Sequence, residues 1–358
     1  MLKSGRCFID CFTQNAFIAS SFLFNKTIRH MANTITASVP AQTGRYKHSL
    51  YYVVGAIASL VLIWLGLGIG FGEWSNPNHL DDTLWQLRYP RVATALLVGM
   101  ALSVSGAALQ ALFENPLADP SLIGTSGGAA LGVVLVLALG FGGIGIPLAA
   151  FTGSVLVCLF ILACHRFLGG GQMGLLILGF VISAFCAAVV SLILFMSDDM
   201  VLRSATNWLS GSMAEAGFVP LRYSIISMIL GLIILLPLGR QLDGLMLGEA
   251  SAKSLGIKVG RVRCLVVVAS ALLTGAAVSL AGVIGFIGMM VPNLLAILFG
   301  GGRMRLMIWS GWLGAMLLLI IDGTARHAAY PVDVPVGIVL ALLGGPFFIW
   351  LFVRSSRR

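Results

Sequence analysis

Long apolar runs separated by short polar breaks dominate the chain. They fall at about 51–72, 92–112, 122–163, 174–196, 222–239, 264–302, 306–321 and 334–353. The runs are continuously apolar rather than alternating, so they predict helices and not the strands of a barrel. About 20 mainly apolar residues cross a bilayer as a helix. Lipid admits only helices or closed barrels, because the backbone must satisfy its own polar groups there. Two runs are too long for one crossing. "GFGGIGIP" (140–147) divides the first and "AGVIGFIG" (281–288) the second, since glycine and proline clusters punctuate helices. Ten spans result, and an even number returns both termini to one side.

Composition agrees. Of 358 residues, 58% are hydrophobic and 10% charged, whereas soluble domains carry about 25% charged residues. A soluble chain of this length has too little interior to hide so much apolar surface. Lysine and arginine orient the bundle, because cytoplasmic loops carry the excess. With the N-terminus inside, the inner segments hold eleven: Arg166, Arg240, Lys253, Lys258, Arg261, Arg263, Arg303, Arg305, Arg354, Arg357 and Arg358. The outer segments hold five: Arg88, Arg91, Arg203, Arg222 and Arg326. Both termini are therefore expected in the cytoplasm. Anchoring at the membrane accounts for the formal charge of +9 and needs no nucleic acid. The six cysteines form no CxxC, which argues against a metal or redox site; they read as small buried hydrophobes.

Residues 1–48 differ in kind, being mixed, polar and basic. Their one apolar patch, "AFIASSFLF" (16–24), is too short to span. This N-terminal tail is expected to be disordered, with translation starting at Met31. Residues 49–358 form the ten-helix domain.

Polar segments inside the greasy pattern are the candidates for function. "QALFENPLADPSLIGTSGG" (110–128) joins spans two and three. Pro116 and Pro120 end one helix and start the next, and Asn115 and Asp119 can cap the turns between. "RQLDGLMLGEASAKSLGIKVGRVR" (240–263) is the longest polar stretch between later spans. It predicts a short helix from Gly248 to Leu255, stopped by Gly256, with Glu249 and Lys253 paired at i,i+4. A solvated loop is the bland reading; a knob for a partner's groove is the functional one. Arg88 and Arg91 stand at the outer mouth of span two, against the positive-inside bias. Headgroup anchoring and docking of an acidic soluble partner are the two readings. Arg326 belongs with them, one turn after Asp322, which invites an internal ion pair or a proton relay. Segment 197–220 predicts a short outer helix ending near Gly211. No G-x-x-x-x-G-K-[ST] occurs, so the chain has no P-loop of its own. "GTSG" (124–127) resembles the serine motif of intramembrane proteases, but no histidine stands well inside a span to serve it.

Four stretches together carry a resemblance. "LRYPRVATALLVGMALSVSGAALQALFENPLADPSLIGTSGGAALG" (87–132), "LGEASAKSLG" (247–256), "AVSLAGVIGFIGMMVPN" (277–293) and "VPVGIVLALLGGPFFIWLF" (334–352) resemble the FecCD-like permeases of type II ABC importers for iron chelates, haem and cobalamin. The resemblance runs from about residue 50 to the C-terminus. It implies an all-α integral membrane protein with the ten-helix type II permease fold, in the bacterial inner membrane. It implies a homodimer with two cytoplasmic ATP-binding subunits, which hold ATP and magnesium, and a periplasmic or lipid-anchored substrate-binding protein. It implies no catalytic residue, metal or cofactor on this chain. Carried over residue by residue, Leu247, Gly248, Glu249, Ala252, Leu255 and Gly256 match the helix that couples to the ATPase. Arg88, Arg91 and Arg326 match the arginines that meet the binding protein. Asn115, Pro116, Ser126 and Gly127 match the cytoplasmic end of the pathway, and Gln172 and Met173, in "GGGQMG" (169–174), lie on that side. The chain departs from the pattern at Asn293, where histidine often follows the proline, and at Gly127. Iron chelates, ferric siderophore or haem, rank first as cargo and cobalamin second. A proton-coupled secondary transporter using Asp322 is the reading from another class.

Overall fold

The structure, a computed structural model, describes residues 45–70, 74–79, 81–140, 145–217, 220–298, 300–328 and 330–356. Met31 and the expected tail up to residue 44 lie outside them. Backbone contacts divide the chain into two units, Met1–Ala58 and Ser59–Arg358. Of the first, the described part is the opening of helix α1 (Arg45–Gly68). Every contact given below lies within the second.

The described residues are helical throughout, apart from loops and a lone bridge between Ile69 and Trp74. After α1 come α2 (Asp82–Leu112), α3 (Thr125–Ala138), α4 (Gly145–Leu168) and α5 (Gly171–Phe195). Then follow α6 (Asp199–Leu209), α7 (Leu221–Leu235), α8 (Gly239–Leu245), α9 (Glu249–Ser254) and α10 (Val259–Ala281). Last are α11 (Ile287–Leu298), α12 (Arg303–Ala328) and α13 (Val336–Ser356). Six of these are long and apolar enough to cross a membrane: α2, α4, α5, α7 with α8 as Leu221–Leu245, α10 and α12. Shorter apolar helices in α1, α3, α11 and α13 bring the spans to the ten that the pattern predicts. Both internal divisions fall where the glycine clusters put them.

The short spans are short for a reason. A 3-10 turn, Pro120–Ile123, precedes α3, and non-helical residues 282–286 precede α11. Such backbone is tolerated at membrane depth only when buried in protein, and Ile123 and Gly282 are buried. The hub of the bundle is α2, packed by α10, α11 and α12. Its most apolar stretch is 78% buried, as is that of α10, against 22% for α4 and 17% for α5. The last two therefore turn broad apolar faces outward, as a lipid-facing or partner-facing helix does. The hub is tight because it is built from small residues. A Cβ on Gly99 would collide with the Gly314 carbonyl, and one on Gly106 with that of Gly288. Small residues let helices approach where lipid supplies no hydrophobic drive between them.

The second span begins earlier than hydropathy suggests. The apolar run starts at 92, yet α2 starts at Asp82. Its polar first turns are helical and exposed as far as Leu87, while Arg88 and Arg91 within them are buried.

Candidate functional site

The loops at 113–124, 168–171, 239–258 and 300–302 gather at one end of the bundle. This is the end that holds most of the lysines and arginines, the basic face below. Phe113 closes α2, and the next residue, Glu114, turns into the left-handed region with φ 49°. Asn115 then folds the chain back: its amide donates to Gln110 O at 3.1 Å and its Oδ1 accepts from Leu117 N at 2.9 Å. Asp119 caps the 3-10 turn by accepting from Ser121 N at 2.9 Å. Thr125 Oγ1 donates to Pro120 O at 2.8 Å, which fixes the start of α3.

Two amides inside apolar runs hold this loop to α11. Gln110 Nε2 donates to Met289 O at 3.0 Å. Asn293 Nδ2 donates to the same carbonyl at 3.0 Å and to Pro116 O at 2.6 Å. The asparagine that departs from the family pattern thus anchors Pro116. Neither tie was predicted, though a lone amide in an apolar run is the signal that finds one. Ser126 and Gly127 lie partly buried on the first turn of α3, with Gly127 packed against Ser183 of α5. Across from them, Gln172 Nε2 donates to Glu114 Oε1 at 3.2 Å, while Met173 is exposed. The structure therefore brings Asn115, Pro116 and Gln172 near one another at this end of the bundle.

The short helix predicted at 248–255 is α9, residues 249–254. Gly248 and Gly256 bracket it, at φ 93° and 78°. Ala252 is fully buried under it, whereas Leu247 and Leu255 are about two-thirds exposed, at 65% and 64%. An apolar pair held in water beside a buried anchor is a docking geometry. Glu249 fixes the helix through Lys253 Nζ at 2.9 Å and Arg263 Nη2 at 3.2 Å. The hydrogen bond from Lys253 comes first in holding its carboxyl below the usual carboxylate range; burial opposes this and the Arg263 charge adds to it. Next to α9, Asp243 Oδ1 accepts from Arg303 N at 2.8 Å, so α8 caps the start of α12.

At the opposite face Arg88, Arg91 and Arg326 do come together, but they point inward. Arg91 lies between two carboxylates: Asp322 Oδ1 is 2.9 Å from its Nη2, and Asp333 Oδ2 is 2.8 Å from its Nη1. Arg326 Nε is 3.1 Å from Asp322 Oδ2, and its Nη1 donates to Ile69 O at 3.0 Å. Arg88 donates to the carbonyls of Leu67 and Gly68 at 3.1 and 3.0 Å, the last acceptors of α1. None of the three stands open on the surface of this chain. All three side chains are buried, because guanidinium groups at this depth take internal carboxylates and helix-end carbonyls as partners. Asp322, fully buried, is the internal ion-pair partner that spacing suggested. Asp333 was missed, since it lies beyond the helix that carries the other two.

The predicted outer helix is α6. It seats on the break between α10 and α11: Gly282 packs against the Trp208 carbonyl, and Gly337 N donates to Gly211 O at 3.0 Å. Of the cysteines, Cys158 and Cys186 are buried as read, Cys164 partly so, but Cys264 is exposed; all four are free thiols. Cys7 and Cys11 lie outside the described residues. Among the described residues no cluster of histidine, cysteine, aspartate or glutamate has the makings of a metal site.

Comparison with known proteins bears directly on this architecture. A model of the FecCD transport family matches residues 57–354. The chain belongs to the FecCD transport family. Among its curated relatives are the vitamin B12 import system permease protein BtuC of Vibrio cholerae and the hemin transport system permease protein HmuU of Yersinia pestis. BtuC is 37% identical, over 87% of this chain and 95% of its own length. HmuU is 39% identical, over 84% of this chain and 94% of its own. A solved ABC transporter assigned to the metal-chelate type, in an inward-facing conformation, superposes with a TM-score of 0.76 at 32% identity. That alignment covers 84% of this chain and 97% of the other. This FecCD chain is thus a multi-pass membrane transport protein, and the ten-helix permease fold is shared with a solved relative.

Proposed function

We propose that this FecCD chain is the permease subunit of a binding-protein-dependent ABC importer. It moves an iron chelate, ferric siderophore or haem, across the bacterial inner membrane. It works as a homodimer with both termini and the basic face in the cytoplasm. Two separate ATP-binding subunits, which hydrolyse ATP, dock on α9. A periplasmic or lipid-anchored binding protein docks on the opposite face. There, three guanidinium groups against two carboxylates leave a positive field that favours an acidic partner. The loops at Asn115, Pro116, Ser126, Gly127, Gln172 and Met173 close the inner end of the path. Alternating access follows from rigid-body rocking of the two subunits.

The observation that carries this reading is α9: a short helix with an apolar pair in water and a buried anchor, in a chain without a nucleotide motif of its own. Reconstitution with the ATP-binding subunits tests it. Glu249→Arg with Leu255→Asp is expected to abolish ATP-driven uptake and weaken association of those subunits at least tenfold, while the permease stays folded. Association at wild-type strength rules out α9 as the dock.

Cobalamin is the second reading for cargo, and the BtuC relative favours it as HmuU favours haem. A proton-coupled mechanism through Asp322 loses its footing. That carboxylate is clamped by Arg91 and Arg326, whereas a relay needs a group free to take and release a proton.

A further inference from the structure

At the basic face two loops meet through the bond from Gln172 to Glu114, and neither end sits on ordinary backbone. Glu114 holds a left-handed φ without being glycine. On the other side Gly169, Gly170 and Gly171 follow one another at φ 73°, 95° and 62°. Only glycine takes such conformations in succession without steric cost, so this turn has soft torsions and needs something else to choose its shape. His165 supplies it. Its Nε2 lies 2.7 Å from Gly171 O, and with a proton on that nitrogen the ring donates to the carbonyl. The last turn of α4 thereby clasps the first residue of α5. The next residue along is Gln172, whose reach to Glu114 depends on where the clasp leaves it. Helix α9 approaches the same point, since a Cβ on Gly171 would stand 3.9 Å from Glu249 Oε2. That carboxylate is held in place by Lys253 and Arg263.

We propose that Glu114, His165, the glycine turn 169–171 and Gln172 form a latch at the inner mouth, with His165 as its positioning residue, and that α9 works the latch through Glu249. The proposal rests on the reading of α9 as the ATPase dock. Gln172 and Glu114 meet in water, where a hydrogen bond is modest and can break and re-form in each cycle. The clasp at His165 is more enclosed and keeps the turn from wandering when the latch is open. A shift of α9 reaches the turn across the short gap between Glu249 and Gly171, without passing through the spans.

The test uses the assembled transporter in proteoliposomes, its native cysteines replaced, with spin labels at Leu117 and Ile177. Both side chains are exposed and neither belongs to the latch. The wild type is expected to give one narrow distance without nucleotide and a shifted one with ATP. His165→Leu and Glu114→Ala are expected to broaden the first distance. They should also raise the ATP hydrolysed per solute moved roughly three- to tenfold, the factor that an ordinary net hydrogen bond carries. His165→Gln, which keeps a donor, restores both. An unchanged distance in His165→Leu, or a His165→Gln that behaves like it, overturns the latch. An ATP-driven shift that survives Glu249→Ala overturns the link to α9. If the complex does not hydrolyse ATP at all, the transport reading fails separately, and the nucleotide-free distances still decide the latch.

Discussion

Asp322 shows what one side chain does at depth. It is fully buried, between Arg91 and Arg326. Removing one partner of a buried ion pair costs about 3–5 kcal/mol, because a charge is left without compensation. Asp322→Asn removes the charge that Arg91 and Arg326 share. The melting midpoint of the detergent-solubilised protein, followed by tryptophan fluorescence, is expected to fall by several degrees. Asp322→Leu combined with Arg326→Leu should cost less than the two changes summed, since the pair is then removed whole. An unchanged midpoint in Asp322→Asn shows that the cluster is not structural. Glu249 gives a pH dependence of opposite location. Its folded-state carboxyl titrates below the ordinary value of 4.5. The tie it makes is therefore fully present above that pH and is lost as pH falls through the lowered value. Amide protection across 249–254 should be constant from neutral pH down to about 5 and then decline, and Glu249→Gln should flatten the profile. Protection that falls on the alkaline side contradicts the assignment.

Elements are held at close range by α2. Its contacts with α11 and α12 run through Gly106 against Gly288 and Gly99 against Gly314. Extra bulk in a packed core costs about 1–3 kcal/mol, and here the obstacle is backbone, which yields least. Gly106→Val is expected to lower both the yield of folded protein and its midpoint, with Gly106→Ala a milder version. A Gly106→Val protein as stable as the parent shows that the two helices have room to part. Element boundaries also mark the limit of what hydropathy reads. The ten spans and α9 were legible because length, periodicity and glycine punctuation are local signals. The first turns of α2 were not, because Arg88 and Arg91 look like loop residues until Asp322, Asp333 and the end of α1 are packed against them. Spacing put Asp322 beside Arg326 on one helix; nothing local put Asp333 beside Arg91.

At the scale of the molecule the same division holds. The two polar faces were legible from charge alone, and the sequence singled out Asn115, Pro116 and Gln172, which the fold brings near one another at the basic end. The bonds joining them were not legible, since Glu114 to Gln172 and Asn293 to Pro116 cross 58 and 177 positions of chain. The cap that Asp243 places on Arg303 has a larger reach than its single bond suggests. Helix α12 runs unbroken for 26 residues from that cap to Arg326 and just beyond, about 39 Å at the usual rise. A stiff rod pinned at one end beside α9 and at the other among buried ions behaves as a lever. Any tilt at the capped end must be answered at the end among the buried ions, so the two surfaces share one mechanical degree of freedom that bypasses the solute's route.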